Sequence, residues 1–196
     1  MSITLNGITK RFGGKTVLDD LTATLPGGVI CLSGASGCGK TTLAMIIAGL
    51  LKPDSGNIGG ISGNVTVMFQ EPRLFPAFSA LENVACAAKG SSGEAEAEKL
   101  LLSLGLTADD IKKKPCELSG GMNQRVSLAR AVLFHENSGG NTVILDEPFK
   151  GLDPASKNIA AELVRSRLTP ENLLVITHDG SDADLLHGTR INFSDL

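Results

Sequence analysis

Nine consecutive residues hold the densest chemistry in the chain: Gly34-Ala35-Ser36-Gly37-Cys38-Gly39-Lys40-Thr41-Thr42. They match GxxxxGK[ST], and they lie between a short continuous apolar run, Val29 to Leu32, and an apolar helix expected over Lys40 to Leu51. Strand before and helix after is the context that this motif requires. Glycines let backbone N–H groups turn inward around an anion, and the start of the following helix adds its dipole. Lys40 is placed to reach the β- and γ-phosphates of a nucleoside triphosphate, and the Thr41 hydroxyl to bind Mg²⁺. The plainer alternative is a Gly-rich turn that only joins strand to helix; two matching flanks argue against it.

Val143-Ile144-Leu145-Asp146-Glu147-Pro148 supplies carboxylates. A buried strand that ends in Asp146 sets it at the carboxyl edge of a sheet, where open α/β sheets bind ligands. Asp146 suits a Mg²⁺ partner. Glu147, directly after it, can orient and polarise an attacking water; the competing reading is that the pair caps the next helix. Leu118-Ser119-Gly120-Gly121-Met122, running into Asn123-Gln124-Arg125-Val126, is a second anion site: Ser119 is a good N-cap and the two glycines allow close backbone approach. One phosphate loop already fills one side of a γ-phosphate. The second helix start must therefore serve elsewhere or face a different chain.

These groups need elements to position them. Ile3 to Phe12 and Val17 to Leu25 read as alternating strands separated by Gly13-Gly14, a hairpin-like start. Val29 to Leu32 reads as a strand buried on both faces, Pro53-Asp54-Ser55-Gly56 as a turn and Val65 to Phe69 as a strand. From Ser79 to about Leu118 the pattern is helical, with Glu94, Glu96, Glu98 and Lys99 facing outward. Helix from about Gly121 to Leu133, strand at Thr142 to Leu145, helix from Ala155 to Leu168 and strand at Leu173 to Thr177 then alternate. The expected fold class is α/β: a mainly parallel core sheet of the P-loop NTPase type, an N-terminal antiparallel β part and a small α-helical insert at about 76–135, in one domain over 1–196.

Composition limits the alternatives. The chain has 196 residues, 42% hydrophobic and 20% charged, with a formal net charge of −3. Neither a disordered chain nor a broad basic face for nucleic acid fits these values. The longest apolar stretch, Leu43 to Leu51, falls far short of the roughly 20 residues that span a bilayer. The N-terminus lacks the basic and apolar regions of a secretory signal, and four scattered cysteines form no CxxC pair, which points to a reducing cytosol. Gly is abundant at 23 residues, while Trp and Tyr are absent.

Taken together, the phosphate loop, the Leu118 to Met122 element and Asp146-Glu147 resemble the nucleotide-binding subunit of an ATP-binding cassette (ABC) transporter, over nearly the whole chain, Ile3 to Phe193. The resemblance implies an ATPase that uses ATP and Mg²⁺. It implies that Ser119, Gly120 and Gly121 of one subunit complete the ATP site of its partner. It gives Phe12 the position that stacks on adenine, with a plain core residue as the alternative, and Gln70 the position that touches Mg²⁺ and water. Asp153 in Gly151-Leu152-Asp153 takes the interface carboxylate position, and His178 takes that of the switch histidine that holds the γ-phosphate. Lys40, Glu147 and His178 are then the catalytic set, and Thr41, Gln70 and Asp146 the Mg²⁺ set.

Implied partners are a second copy or a similar cassette, an integral membrane permease and a solute-binding protein, at the cytoplasmic face of the cell membrane. Met122, Lys150-Gly151-Leu152-Asp153 and Phe69-Gln70-Glu71-Pro72-Arg73-Leu74-Phe75 resemble the nitrate, sulfonate and taurine importers. The interval from Lys40 to Gln70 is shorter than is common in the family, so the intervening antiparallel hairpin is expected to be truncated. The chain stops soon after His178, which implies no appended regulatory domain. Arg73 to Val84 resembles the surface on which a permease docks, with Leu74, Phe75 and Phe78 as apolar contacts; Phe75 and Phe78 are then partly exposed, unless they pack inside the helical insert. Two rival readings are a soluble ABC-type ATPase not coupled to transport, and a P-loop kinase, which would need an acceptor site and no Ser119 to Gly121 element.

Overall fold

The structure, a computed structural model, describes residues 2–90 and 93–196. Its strands are β1 (Ile3–Phe12), β2 (Lys15–Leu25), β3 (Gly28–Ser33), β4 (Ser55–Gly59), β5 (Val65–Met68), β6 (Thr142–Asp146), β7 (Asn172–Ile176) and β8 (Thr189–Asn192). Its helices are α1 (Lys40–Ile47), α2 (Ala80–Ala85), α3 (Gly93–Ser103), α4 (Gly120–Ser138), α5 (Pro154–Arg167) and α6 (Ser181–Leu185). Two compact units emerge: Met1–Val67 with Gly140–Asp146 and Pro170–Leu196, and Met68–Gly139 with Glu147–Thr169.

In the first unit, β2, β1 and β4 form an antiparallel sheet. A single strand, β4, therefore occupies the stretch between the helix after the phosphate loop and β5. The second sheet runs β5-β6-β7-β3-β8, with β3 parallel to β7 and β8, and β6 parallel to β7. β6 and β7 are buried at every position, as expected of central strands covered on both faces. Ile3, Leu5 and Ile8 of β1, Ile30 and Leu32 of β3, Leu43, Ile46 and Ile47 of α1, and Ile144, Leu174 and Ile176 share one core cluster. That cluster clamps the antiparallel sheet, the helix and the parallel sheet into one body, by removing apolar surface from water.

α1 ends at Ile47, short of the expected Leu51. Gly49 is the cause: its φ is +70°, its N–H bonds to the Ile46 carbonyl at 3.0 Å, and Leu50 N–H bonds to the Met45 carbonyl at 2.9 Å. This is the Schellman closure, which glycine enters without strain. Ser55 and Gly56, expected in a turn, instead open β4.

In the second unit the expected helical stretch of 79–118 is broken into α2, α3 and two 3₁₀ turns, Asp110–Lys112 and Pro115–Glu117. α2 starts on a capping box: Ser79 Oγ accepts from Glu82 N–H at 3.2 Å, and the Glu82 carboxylate accepts from Ser79 N–H at 2.7 Å. The Ser79 N–H first, and then the Ser79 hydroxyl at 2.9 Å, hold the Glu82 carboxyl below its ordinary range. α4 is buried on most of its circumference, including Gln124, Val126, Leu128, Ala129, Val132 and Leu133, and is the central helix of this unit. Glu136 near its end accepts from Arg167 Nε at 2.6 Å and Nη2 at 3.0 Å, which ties α4 to α5.

Candidate active site

Strand register gathers the first unit's site at one edge. Leu32 of β3 pairs with Ile176 of β7, and Asp146 of β6 pairs with the same Ile176. Three neighbouring parallel strands therefore end level. Their continuations are the phosphate loop from Gly34, Asp146 itself, and Thr177-His178. An open α/β sheet binds ligands at this edge, outside the carboxyl ends of its strands.

The loop is pressed in from behind. A Cβ at Gly34 would lie 3.0 Å from Phe193 Cβ and 3.3 Å from Cys38 Sγ; one at Gly39 would lie 2.9 Å from Leu18 Cδ2 and 3.2 Å from the Val17 carbonyl. Glycine at both ends answers to tight space and to backbone, since φ is +150° at Gly34 and +113° at Gly39, with β2 and the segment after β8 as walls. Gly39 also caps α1 with no side-chain hydrogen bond, and no acidic residue occupies the first turn. The N–H groups that open this helix are left to an anion. Lys40 is 6% exposed, and its Nζ donates to the Gly34 and Ala35 carbonyls at 2.8 Å each. The ammonium is thus held inside its own loop.

Thr41 Oγ1 donates to Asp146 Oδ2 at 3.0 Å. Two of the three expected Mg²⁺ partners, 105 residues apart in sequence, meet in the structure. A hydroxyl and a buried carboxylate are hard oxygen donors, which fit Mg²⁺. Among the described residues no group of three or more His, Cys, Asp or Glu is placed to hold a metal. An ion that takes most of its ligands from phosphates and water needs none.

Phe12 and His178 lie in the same unit. Phe12 ends β1 with 49% of its surface exposed, so it is no core residue, and Lys10 Nζ stands 5.5 Å from its ring centroid. Its hairpin partner strand supplies the Val17 and Leu18 atoms that wall Gly39. His178 is exposed and follows the buried Thr177. Thr177 Oγ1 donates to Asp182 and accepts from Asp179 N–H at 3.0 Å, and these bonds fasten the turn that carries His178.

The second unit holds the remaining candidates. Ser119 caps α4, its Oγ accepting from Met122 N–H at 3.2 Å. A Cβ at Gly120 would meet nothing within 4 Å, whereas one at Gly121 would come 3.1 Å from the Gly151 carbonyl. The start of α4 is therefore open at Gly120 and abuts the turn leading to Asp153 at Gly121. Asp153 is the N-cap of α5: it accepts from Ala155 N–H at 3.0 Å, Ser156 N–H at 3.1 Å and the Ser156 hydroxyl at 2.6 Å. The Ser156 hydroxyl first, with those backbone N–H groups, holds the Asp153 carboxyl below its ordinary range. Gln70 is exposed, two residues beyond β5.

Glu147 has a φ of +51°. For a residue with a side chain that conformation costs about 1–2 kcal/mol. Pro148 behind it disfavours the right-handed helical region. The helix-capping alternative for this carboxylate pair does not apply, because Asp153 caps α5 and Asp146 belongs to β6.

Three structural residues were not singled out from sequence. Gln124 is buried at 4% exposure and donates from Nε2 to the Glu147 carbonyl at 2.7 Å. Its signal is a polar side chain in line with the apolar Leu128 and Ala131. Phe193 backs the phosphate loop, a contact between distant parts of the chain with no local signature. Arg130 donates to the Pro72 and Arg73 carbonyls at 2.7 and 3.1 Å and lies 5.8 Å from the Phe75 ring centroid, which pins the segment after Gln70. In that segment Phe75 and Phe78 are 51% and 40% exposed, the partial exposure expected of a docking surface.

Known proteins resemble this chain over most of its length. The ABC transporter family profile matches residues 18–150. The aliphatic sulfonates import ATP-binding protein SsuB of Rhodopseudomonas palustris is 40% identical over 195 residues, covering 93% of this chain and 67% of that protein. SsuB of Corynebacterium glutamicum is 40% identical over 188 residues, with 92% and 75% covered. A bacterial ABC transporter cassette solved as a dimer superposes with a TM-score of 0.80 at 26% identity, covering 93% of this chain and 90% of that one. An ATP-binding cassette solved as a dimer in a post-hydrolysis state with ADP and Pi gives 0.78 at 25% identity. The chain belongs to the ABC transporter family, as an ATP-binding subunit and an ATPase.

Proposed function

We propose that two copies of this chain, or one copy and a similar cassette, close on two MgATP and hydrolyse them to drive uptake of an aliphatic sulfonate through a membrane permease. The observation that supports the chemistry is the bond from Thr41 to Asp146 at the end of β6, next to Lys40, whose ammonium is held inside the loop that follows β3. The sulfonate assignment comes from the relatives that carry that name at 36–40% identity. No helix among the described residues is long and apolar enough to cross a membrane; in this reading the path for the solute belongs to the permease.

In this reading the N–H groups of Gly37 to Thr42 and the start of α1 bind the phosphates, and Lys40 leaves its loop carbonyls for phosphate oxygens. Thr41 and Asp146, with Gln70 as the resemblance implies, would hold Mg²⁺, which would supply positive charge against the phosphates. Glu147 polarises the water, and His178 and Lys40 balance charge as it spreads over the γ-phosphate. Ser119 to Gly121 of the other copy complete the site. Opening after hydrolysis resets the permease.

Phe12 is the adenine platform. Phe12→Ala is expected to raise KM for ATP about tenfold, the scale of one lost base stack, with kcat little changed; steady-state kinetics check it. The function as a whole is tested by reconstituting the chain with its permease in vesicles. Sulfonate uptake should require ATP and Mg²⁺ and stop on chelation. ATP consumption matched by a phosphorylated small acceptor would instead establish the kinase reading, and turnover without any permease association the uncoupled one.

A further inference from the structure

Gln124 is a buried polar side chain one turn into α4, on the face shared by Leu128 and Ala131. Its Nε2 donates to the Glu147 carbonyl at 2.7 Å, and the same oxygen accepts from Lys150 N–H at 3.2 Å. One peptide oxygen is therefore held from two directions, next to the one residue of Asp146-Glu147-Pro148 whose φ is positive. We propose that Gln124 is a positioning residue for ATP hydrolysis: it fixes the Glu147 backbone in its left-handed conformation, and so sets the aim of the Glu147 carboxylate from the start of α4. The proposal rests on the reading of Glu147 as the carboxylate that polarises the attacking water.

The physical reason is leverage. With both donors in place, the peptide that follows Glu147 cannot tilt. Without the Gln124 donor the Glu147 carbonyl loses one of these two holds, and the Glu147 Cα turns more freely. A displacement near 1 Å at a reacting group can cost about 100-fold in rate. The lost bond leaves no orphaned acceptor, because Lys150 N–H remains, and Leu is an apolar side chain suited to the same buried row. The chain should therefore still fold with Leu at position 124. Because α4 is one rigid helix, the same bond joins the Ser119 to Gly121 anion site to Glu147 within one chain.

The test compares the full chain with Gln124→Leu, Gln124→Lys, Glu147→Gln and the Gln124→Leu/Glu147→Gln double variant, by steady-state and single-turnover ATP hydrolysis and by thermal melting. Gln124→Leu should lower kcat about 10- to 100-fold, with KM for ATP and melting temperature close to those of the parent chain. Gln124→Lys keeps a donor for the Glu147 carbonyl and should recover part of that rate. The double variant should be no slower than Glu147→Gln, because the pathway through Glu147 is already lost. Parental kcat in Gln124→Leu, a loss that adds in full to that of Glu147→Gln, or a Gln124→Leu chain that does not fold would each overturn the proposal. Parental turnover in Glu147→Gln would refute the reading of Glu147 itself. An inactive Glu147→Gln beside a fully active Gln124→Leu would refute the role of Gln124 alone.

Discussion

Glu147→Gln lowers ATP turnover by about 100- to 10,000-fold, the range over which a positioned general base accelerates proton transfer. The amide keeps the shape of the side chain but has neither the negative charge nor the proton affinity that polarises water. Nothing in the Lys40, Thr41 and Asp146 cluster changes, so nucleotide binding should persist and the nucleotide-bound state should live longer. Glu147 fits this use because its conformation is imposed from outside. Its φ of +51°, the proline that follows and the two donors on its carbonyl fix where its carboxylate starts from. A positive φ at a residue with a side chain, directly after Asp146 in the chain, points to function, since a structural turn there could use glycine at no cost. Binding of a fluorescent ATP analogue alongside single-turnover hydrolysis separates the two effects; unchanged turnover would refute the role.

Lys40→Ala is expected to weaken ATP binding about 100-fold or more, and turnover falls with it. The ammonium is almost fully buried and makes two charge-assisted bonds to carbonyls of its own loop. Each such bond contributes about 1.5–3 kcal/mol, and phosphate oxygens are stronger acceptors than carbonyls, so the exchange on binding favours the nucleotide. Alanine removes the charge and leaves the Gly34 and Ala35 carbonyls without that donor. Lys40→Arg should fail as well, because the planar fork of a guanidinium does not replace a compact ammonium in this space. Equilibrium binding by calorimetry measures the loss, and affinity equal to that of the parent chain would contradict it.

Much of this site was legible because its parts are local. The phosphate loop, the Ser119 cap and the Val143 to Asp146 strand each announce themselves within a few residues, and each stands where the spacing put it. Phe12 could be read two ways from sequence, and its exposure removes the core alternative. Other features depend on distant pairing. β8, Thr-Arg-Ile-Asn, is exposed at most positions and shows no apolar alternation; it is a strand because Ile30 to Ser33 of β3 pair with it. The wall that Phe193 builds behind Gly34, and the clamp of Gln124 on Glu147, likewise join residues far apart in sequence. The early end of α1 was written at Gly49, but among the apolar residues from Leu43 to Leu51 the hydrophobic pattern obscured the stop signal.

The central claim, that each ATP lies between the phosphate loop of one copy and the start of α4 of the other, is tested most directly by mixing two inactive variants. One carries Lys40→Ala. The other carries Gly120→Asp, which adds a negative side chain at a point where the chain itself leaves open space. If sites are shared, a mixed dimer contains one intact site, made from the Gly120→Asp copy's phosphate loop and the Lys40→Ala copy's α4, and ATP turnover should return on mixing. If each copy completes its own site, every site keeps one lesion, and a mixture as inactive as its components would contradict the account.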